Sequence, residues 1–347
     1  MAASRTQALQ GCATWSRLTM HVICLLAMLF VMGITHQLQA QGTAPPYPFD
    51  AGPENTLGNQ SDSDIWRMIR QGADGLPSSS EVVDGVLINA NGVGWSELRR
   101  AEGPLIWYGG LGLAAVIAAV VLFFVIRGRL RIDGGRSGKT VARFSLVQRV
   151  VHWIIACLFL LLGVTGLLLL FGRPLLIPII GKSAYSVFAT ASMQAHNLFG
   201  PIFIVSFIAL FFSFVRGNLP SLCDLQWITR AGGMFGGHAS AGRYNAGEKA
   251  WFWTATLAGI TLSASGILLS FPDALGTHDL LHWAELSHAI AAFVFIGFGI
   301  GHIYLGTIGT EGTIEGMVNG CVDENWARTH HDLWLADMKS REKGADG

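Results

Sequence analysis

Residues 287–302 read Ser-His-Ala-Ile-Ala-Ala-Phe-Val-Phe-Ile-Gly-Phe-Gly-Ile-Gly-His, an apolar run with a histidine near its start, His288, and another at its end, His302. In an α-helix the fourteen steps between them bring the side chain back to within about 40° of the same face and climb about 21 Å. One helix therefore points two imidazoles in one direction at two depths. The run belongs to a longer apolar segment, 285–308, which is long enough to cross the hydrocarbon core of a bilayer.

Four more segments of that kind precede it, at 105–126, 149–171, 196–215 and 250–271. All five are expected to be helices, because only helices and closed barrels satisfy the backbone in lipid. Composition agrees: 51% of the 347 residues are hydrophobic and 13% are charged, about half the charge of a soluble domain. The formal net charge is zero, so no basic field points to nucleic acid.

Charge position is more informative than the sum. The stretch 127–149 holds Arg127, Arg129, Arg131, Arg136, Lys139, Arg143 and Arg149 against Asp133 alone. The loop 216–249 holds Arg216, Arg230, Arg243 and Lys249, and the tail holds Arg328, Lys339, Arg341 and Lys343. The intervening loops are poor: 172–195 has only Arg173 and Lys182, and 272–284 has no lysine or arginine. The positive-inside rule makes the rich segments cytoplasmic. Residues 1–40 read as a signal peptide, with Arg5 and Arg17 ahead of an apolar run, although an uncleaved anchor helix is the alternative. Residues 41–104 then form an outer, periplasmic polar segment with two short Trp-Arg pieces around Trp66 and Trp95. The remaining organisation is an additional transmembrane helix at 105–126, a basic cytoplasmic linker at 127–148, a four-helix core at 149–308 and a cytoplasmic tail at 309–347.

Ionisable side chains inside a bilayer are costly and mark functional candidates. His152 opens the second segment directly after the basic linker, and His196 opens the third after the basic-poor stretch. Depth pairs His152 with His302 on the inner side and His196 with His288 on the outer side. Two bis-histidine sites for haem iron follow, built from facing bundle helices. A copper or zinc site is weaker, since neither level offers a third ligand. Such haem is held without covalent attachment, because the five cysteines contain no C-x-x-C pair. His282 turns about 160° away from His302 and is expected in the outer loop; His238 and His278 are also expected in loops, and His330 and His331 in a solvated tail. Gly163, Gly166 and Gly200 suit either a flat cofactor or close helix packing. The fold expected is an all-α integral membrane protein, a four-helix dihaem cytochrome b bundle plus one additional N-terminal transmembrane helix.

Several stretches together resemble the cytochrome b (gamma) subunit of respiratory formate dehydrogenase, over about residues 143–335. They are Arg149-Val150-Val151-His152-Trp153, Ala195-His196-Asn197-Leu198-Phe199-Gly200, Gly242-Arg243-Tyr244-Asn245-Ala246-Gly247-Glu248-Lys249, Ser287-His288-Ala289 and Gly301-His302-Ile303-Tyr304, with the later runs at 312–318 and 326–331. The resemblance implies an electron-transfer subunit of an oxidoreductase complex in the bacterial inner membrane, with two haem b groups. A molybdenum- or tungsten-containing alpha subunit would oxidise formate, and an iron–sulfur beta subunit would pass the electrons on. The outer haem would receive them, the inner haem would relay them, and a quinone (menaquinone or ubiquinone) would be reduced near the cytoplasmic face. The resemblance places that quinone beside His302, Asn245 and Gly247; Lys249 is a further candidate by position. Asn245 also reads as a helix N-cap ahead of Glu248. No catalytic residue for formate chemistry is expected in this chain. Cytochrome b subunits of nickel–iron hydrogenase or thiosulfate reductase share the core logic, and a haem-free transporter or membrane anchor is the alternative of another class. The N-terminal extension departs from the compact members of the family.

Overall fold

The computed structural model describes residues 103–233, 238–272 and 278–345; the signal, the outer polar segment and its Trp-Arg pieces lie outside them. Among the described residues four helices are long and apolar enough to cross a membrane. Helix α1, Pro104–Arg127, starts with proline inside its first turn and stops at Gly128, whose φ of 66° suits glycine. Strand β1 is Thr140–Ala142. Helix α2, Leu146–Phe214, runs for 69 residues and breaks only at Gly181, with φ 78° and ψ 167°. It is a hairpin. Gln148 Nε2 donates to Ser213 O at 2.9 Å, Thr165 meets His196, and Gly172 packs on Tyr185. Each of these pairs is centred near Gly181, so the two arms run antiparallel.

This corrects the expectation of a loop at 172–195. Arg173, Pro174, Pro178 and Lys182 look like loop residues in sequence, but both prolines sit inside the helix, and one glycine turns the chain. At 1.5 Å per residue each arm is about 50 Å long. Helix α3 is Leu222–Thr229, α4 is Ala246–Ser270, and α5 is His278–Tyr304, ending in a π turn at Leu305–Gly309. His278 and His282 therefore lie in α5, not in the loop expected for them.

The hairpin arms, α4 and α5 make the bundle. Ile155, Leu158, Phe203, Phe207, Ala255, Ala258 and Phe295 form its apolar centre. Helix α1 lies outside, parallel to α5: Gly109 abuts the Phe293 ring, Val116 faces Gly297, and Phe123 and Phe124 meet Tyr304 edge-on.

The linker before α2, the loop between α2 and α4, and the tail after α5 gather at one end, here the basic end. The tail comprises α6 (Thr313–Val318), β2 (Cys321–Asp323), α7 (Glu324–His330) and α8 (Asp332–Ala345). Strand β2 pairs antiparallel with β1, Val141 opposite Val322, a small sheet that the sequence did not announce. The Asp323 carboxylate accepts from the backbone amides of Ser137, Gly138 and Asn325. These bonds, the largest effects favouring its charged form, outweigh burial and hold the acid below the usual carboxylate range. Ile132, Val322, Trp326, Ala327, Trp334 and Leu335 make a second core beneath.

The expectation of a solvated tail for His330 and His331 fails here. His331 is fully buried. Its Nδ1 lies 2.9 Å from Gly242 O, and its Nε2 lies 3.0 Å from Arg143 Nη2. The Arg143 guanidinium carries only donors, so Nε2 accepts from it and Nδ1–H donates to the Gly242 carbonyl. Arg143 is itself buried among Phe144, Tyr244, Trp326 and Trp334, and pairs with Glu248 at 3.0 Å.

Candidate functional site

The four intramembrane histidines meet in two pairs. The ring centres of His152 and His302 are 6.2 Å apart, and those of His196 and His288 are 6.1 Å apart. The first pair lies toward the basic end and the second toward the far end, with the apolar centre between them. Two imidazoles on one metal ion give that spacing: each metal–nitrogen bond is roughly 2 Å and the ring centre lies beyond it, so the centres sit about 6 Å apart. Among the described residues no three His, Cys, Asp or Glu side chains group as metal ligands. A two-nitrogen site suits an ion whose other ligands come from a macrocycle, as in haem.

The far-end pair is also oriented for that role. Thr165 Oγ1 donates to Leu161 O at 2.9 Å, one turn back, and lies 2.9 Å from His196 Nδ1. Ser265 Oγ donates to Thr261 O at 2.6 Å and lies 2.9 Å from His288 Nδ1. A hydroxyl has one hydrogen. With that hydrogen on the carbonyl, each oxygen accepts from Nδ1–H. Both histidines are thereby held as the tautomer with a bare Nε2 lone pair, the form that binds metal. A Cβ built on Gly166 would lie 3.4 Å from His196 Cε1, and one on Gly266 would lie 3.6 Å from His288 Cε1.

Sequence reasoning found Gly166 but missed Thr165, Ser265 and Gly266. The signal was present as a repeat: Val164-Thr165-Gly166-Leu167-Leu168-Leu169 and Ala264-Ser265-Gly266-Ile267-Leu268-Leu269. The other two glycines serve differently. Gly163 faces the Ile296 side chain, and a side chain at Gly200 would meet nothing within 4 Å.

The basic-end pair is built from other parts. His152 Nδ1 is buried with no hydrogen-bond partner among the described residues. The His302 ring stacks on Trp251 at 4.7 Å and 14°. Trp251 stands one turn beyond Gly247 on α4, so the start of that helix leads directly to His302.

Asn245 is the N-cap of α4. Its Oδ1 accepts from Glu248 N, and Glu248 Oε2 accepts from Asn245 N, both at 2.9 Å. The cap engages the side-chain oxygen and leaves the amide NH2 outside these bonds. Gly247 is exposed, but the edge of Trp227 from α3 would lie 3.1 Å from a Cβ there. Lys249 is committed elsewhere: its Nζ donates to Ser221 Oγ and to both oxygens of Asp224, each at 2.9 Å. It braces α3 against α4.

The family model of prokaryotic cytochrome b561 matches residues 143–320. The nitrate-inducible formate dehydrogenase cytochrome b556(Fdn) subunit of Escherichia coli K12 is 27% identical over 214 residues, covering 59% of this chain and 95% of that relative. The formate dehydrogenase cytochrome b556(fdo) subunit of the same strain is 30% identical over 213 residues, covering 60% and 98%. The formate dehydrogenase cytochrome b556 subunit of Haemophilus influenzae is 29% identical over 204 residues, covering 57% and 83%.

Proposed function

Because this chain belongs to the prokaryotic cytochrome b561 family, we propose that it is the membrane cytochrome b subunit of a formate dehydrogenase, which carries electrons from formate to a quinone. The relatives named for that complex support the assignment. The observation that carries the mechanism is the two histidine pairs, 6.2 Å and 6.1 Å between ring centres, stacked along one bundle.

In this reading His196 and His288 hold one haem b, and His152 and His302 hold a second. Bound haem supplies a one-electron carrier at each depth. The protein does the rest. With two histidines holding it, each iron would have no position open to oxygen or substrate and would serve electron transfer alone. Phe159, Phe203 and Phe295 fill the space between the levels and keep water out; Phe159 and Phe295 lie 4.7 Å apart, Phe203 and Phe295 6.5 Å. Asn245 presents its amide hydrogens at the entry of α4, beside Gly247, and Trp251 links that entry to His302. A quinone bound there takes its protons from the basic end, which the positive-inside rule assigns to the cytoplasm. Pro104, where α1 begins, then faces outward with the far end of the hairpin. The donors are an iron–sulfur subunit and a molybdenum or tungsten subunit that oxidises formate.

The test is a reduced-minus-oxidised optical spectrum of the purified full chain, with haem counted per chain. The expected result is two b-type haems, falling to one in His196→Ala and to one in His152→Ala. Colourless, well-folded protein would overturn the reading.

A further inference from the structure

We propose that Thr165 and Ser265 are positioning residues that strengthen His196 and His288 as donors and so hold the far-end site at a lower reduction potential than the basic-end site. The inference rests on the reading that each histidine pair holds a haem.

The two pairs differ in one chemical respect. At the far end each Nδ1–H has a hydroxyl oxygen 2.9 Å away, and each hydroxyl has spent its own hydrogen on a helix carbonyl. At the basic end His152 Nδ1 has no partner among the described residues, and His302 has a stacked indole against its face. An acceptor on Nδ1–H pushes electron density toward Nε2 and raises the basicity of the ligating nitrogen. A more basic axial ligand favours the ferric over the ferrous state, which lowers the potential; hydrogen bonding around the ligands is one of the protein's levers on a haem. Both ligands of the far-end site receive this push, and His152 does not. With that ordering, one electron lost at the His196/His288 site and gained at the His152/His302 site moves downhill, with no proton required. The arrangement also recurs on two separate helices: in each, the hydroxyl precedes a glycine that lies against the same imidazole edge, Cε1. A hydroxyl serving only to satisfy its own helix would need neither the facing ring nor the glycine beside it.

The experiment is a potentiometric titration of the purified full chain, followed optically and by electron paramagnetic resonance. His196→Ala, which keeps only the basic-end haem, assigns the two midpoints. The wild-type chain is expected to show the far-end midpoint below the basic-end one. Thr165→Val and Ser265→Ala should each keep two haems and raise the far-end midpoint alone. The expected size is several-fold in the ferric-to-ferrous ratio at fixed potential, where tenfold corresponds to about 59 mV for one electron. Thr165→Ser, which keeps the oxygen, should stay at the wild-type value. Two haems with unmoved midpoints in both variants would overturn the proposal, as would equal movement of both midpoints. Ser265→Ala removes a single oxygen atom and is the decisive variant if Thr165→Val disturbs packing; loss of the far-end haem from Ser265→Ala would show a binding role and overturn the tuning one. A wild-type chain without haem would instead sink the underlying function.

Discussion

At the scale of single residues, one side chain has a duty the structure shows and a second that the proposed function gives it. Asn245 caps α4 through its oxygen, and its amide hydrogens are what a quinone oxygen would meet. Aspartate caps a helix as well as asparagine does, but its carboxylate has no hydrogen to give. Asn245→Asp should therefore keep the haem content and the melting temperature while lowering quinone reduction about tenfold or more, roughly the loss of one hydrogen bond to a reacting group. An unchanged rate would leave Asn245 as a cap alone. The histidine pairs were legible in the sequence because a spacing of fourteen fixes both face and rise, whatever the neighbours. Thr165 and Ser265 were not. Hydroxyl residues are common in membrane helices, and most of them bond only to their own backbone. The repeat that marks these two gains meaning only once each is seen opposite a ring.

At the scale of elements, the short helix α3 is tied to α4 by one buried ion pair. Lys249 and Asp224 are both largely withdrawn from water, with side chains 10% and 14% exposed. The Asp224 carboxyl lies below its usual range: Lys249 and Ser221 together outweigh its burial, the largest single effect, which pushes the other way. Lys249→Met would strand that carboxylate, at a cost on the order of 3 kcal/mol. The expected outcome is faster hydrogen exchange across 222–229, with the bundle unaltered; exchange unchanged in that helix would show that Trp227 packing suffices to hold it. Sequence located the apolar passes well, since composition alone sets them. It misjudged their ends, as at 172–195, because proline and charge usually mark loops and here occur within a helix that projects beyond its apolar part. It also started α5 too late, at 285 instead of His278.

At the scale of the whole molecule, segments far apart in sequence close over the basic end. The β1–β2 pairing, Asp323 and the Arg143–Glu248–His331 group tie the linker, the central loop and the tail together. None of this was legible, because partners such as Arg143 with Glu248 and with His331, 105 and 188 residues apart, leave no local pattern, and a polar tail reads as solvated until its few apolar residues are seen to converge. Burial, followed by the nearby Arg143, pushes His330 down to about 4 and His331 well below its ordinary value. The unfolded chain therefore binds more protons than the folded one below pH 6.5. Stability contributed here is complete above 6.5 and is lost as pH falls from 6.5 toward 4. Acidifying from pH 7 to 5 should lower the melting temperature and speed hydrogen exchange over 324–335, and His330→Gln should flatten that dependence. A melting temperature flat between pH 7 and 5 would contradict it.

The arms of the α2 hairpin are about 50 Å long, while the hydrocarbon core of a bilayer is about 30 Å thick. The surplus lies beyond the apolar runs 149–171 and 196–215, around Arg173 and Lys182, so it stands outside the hydrocarbon and carries the turn at Gly181 past the lipid surface on the far side. Helix α4, with 25 residues, has no such reserve. Hydrophobic mismatch is set by the apolar runs alone; those of the two arms and of α4 are similar in length, so a change in bilayer thickness is felt by all three while the projecting turn stays clear of it.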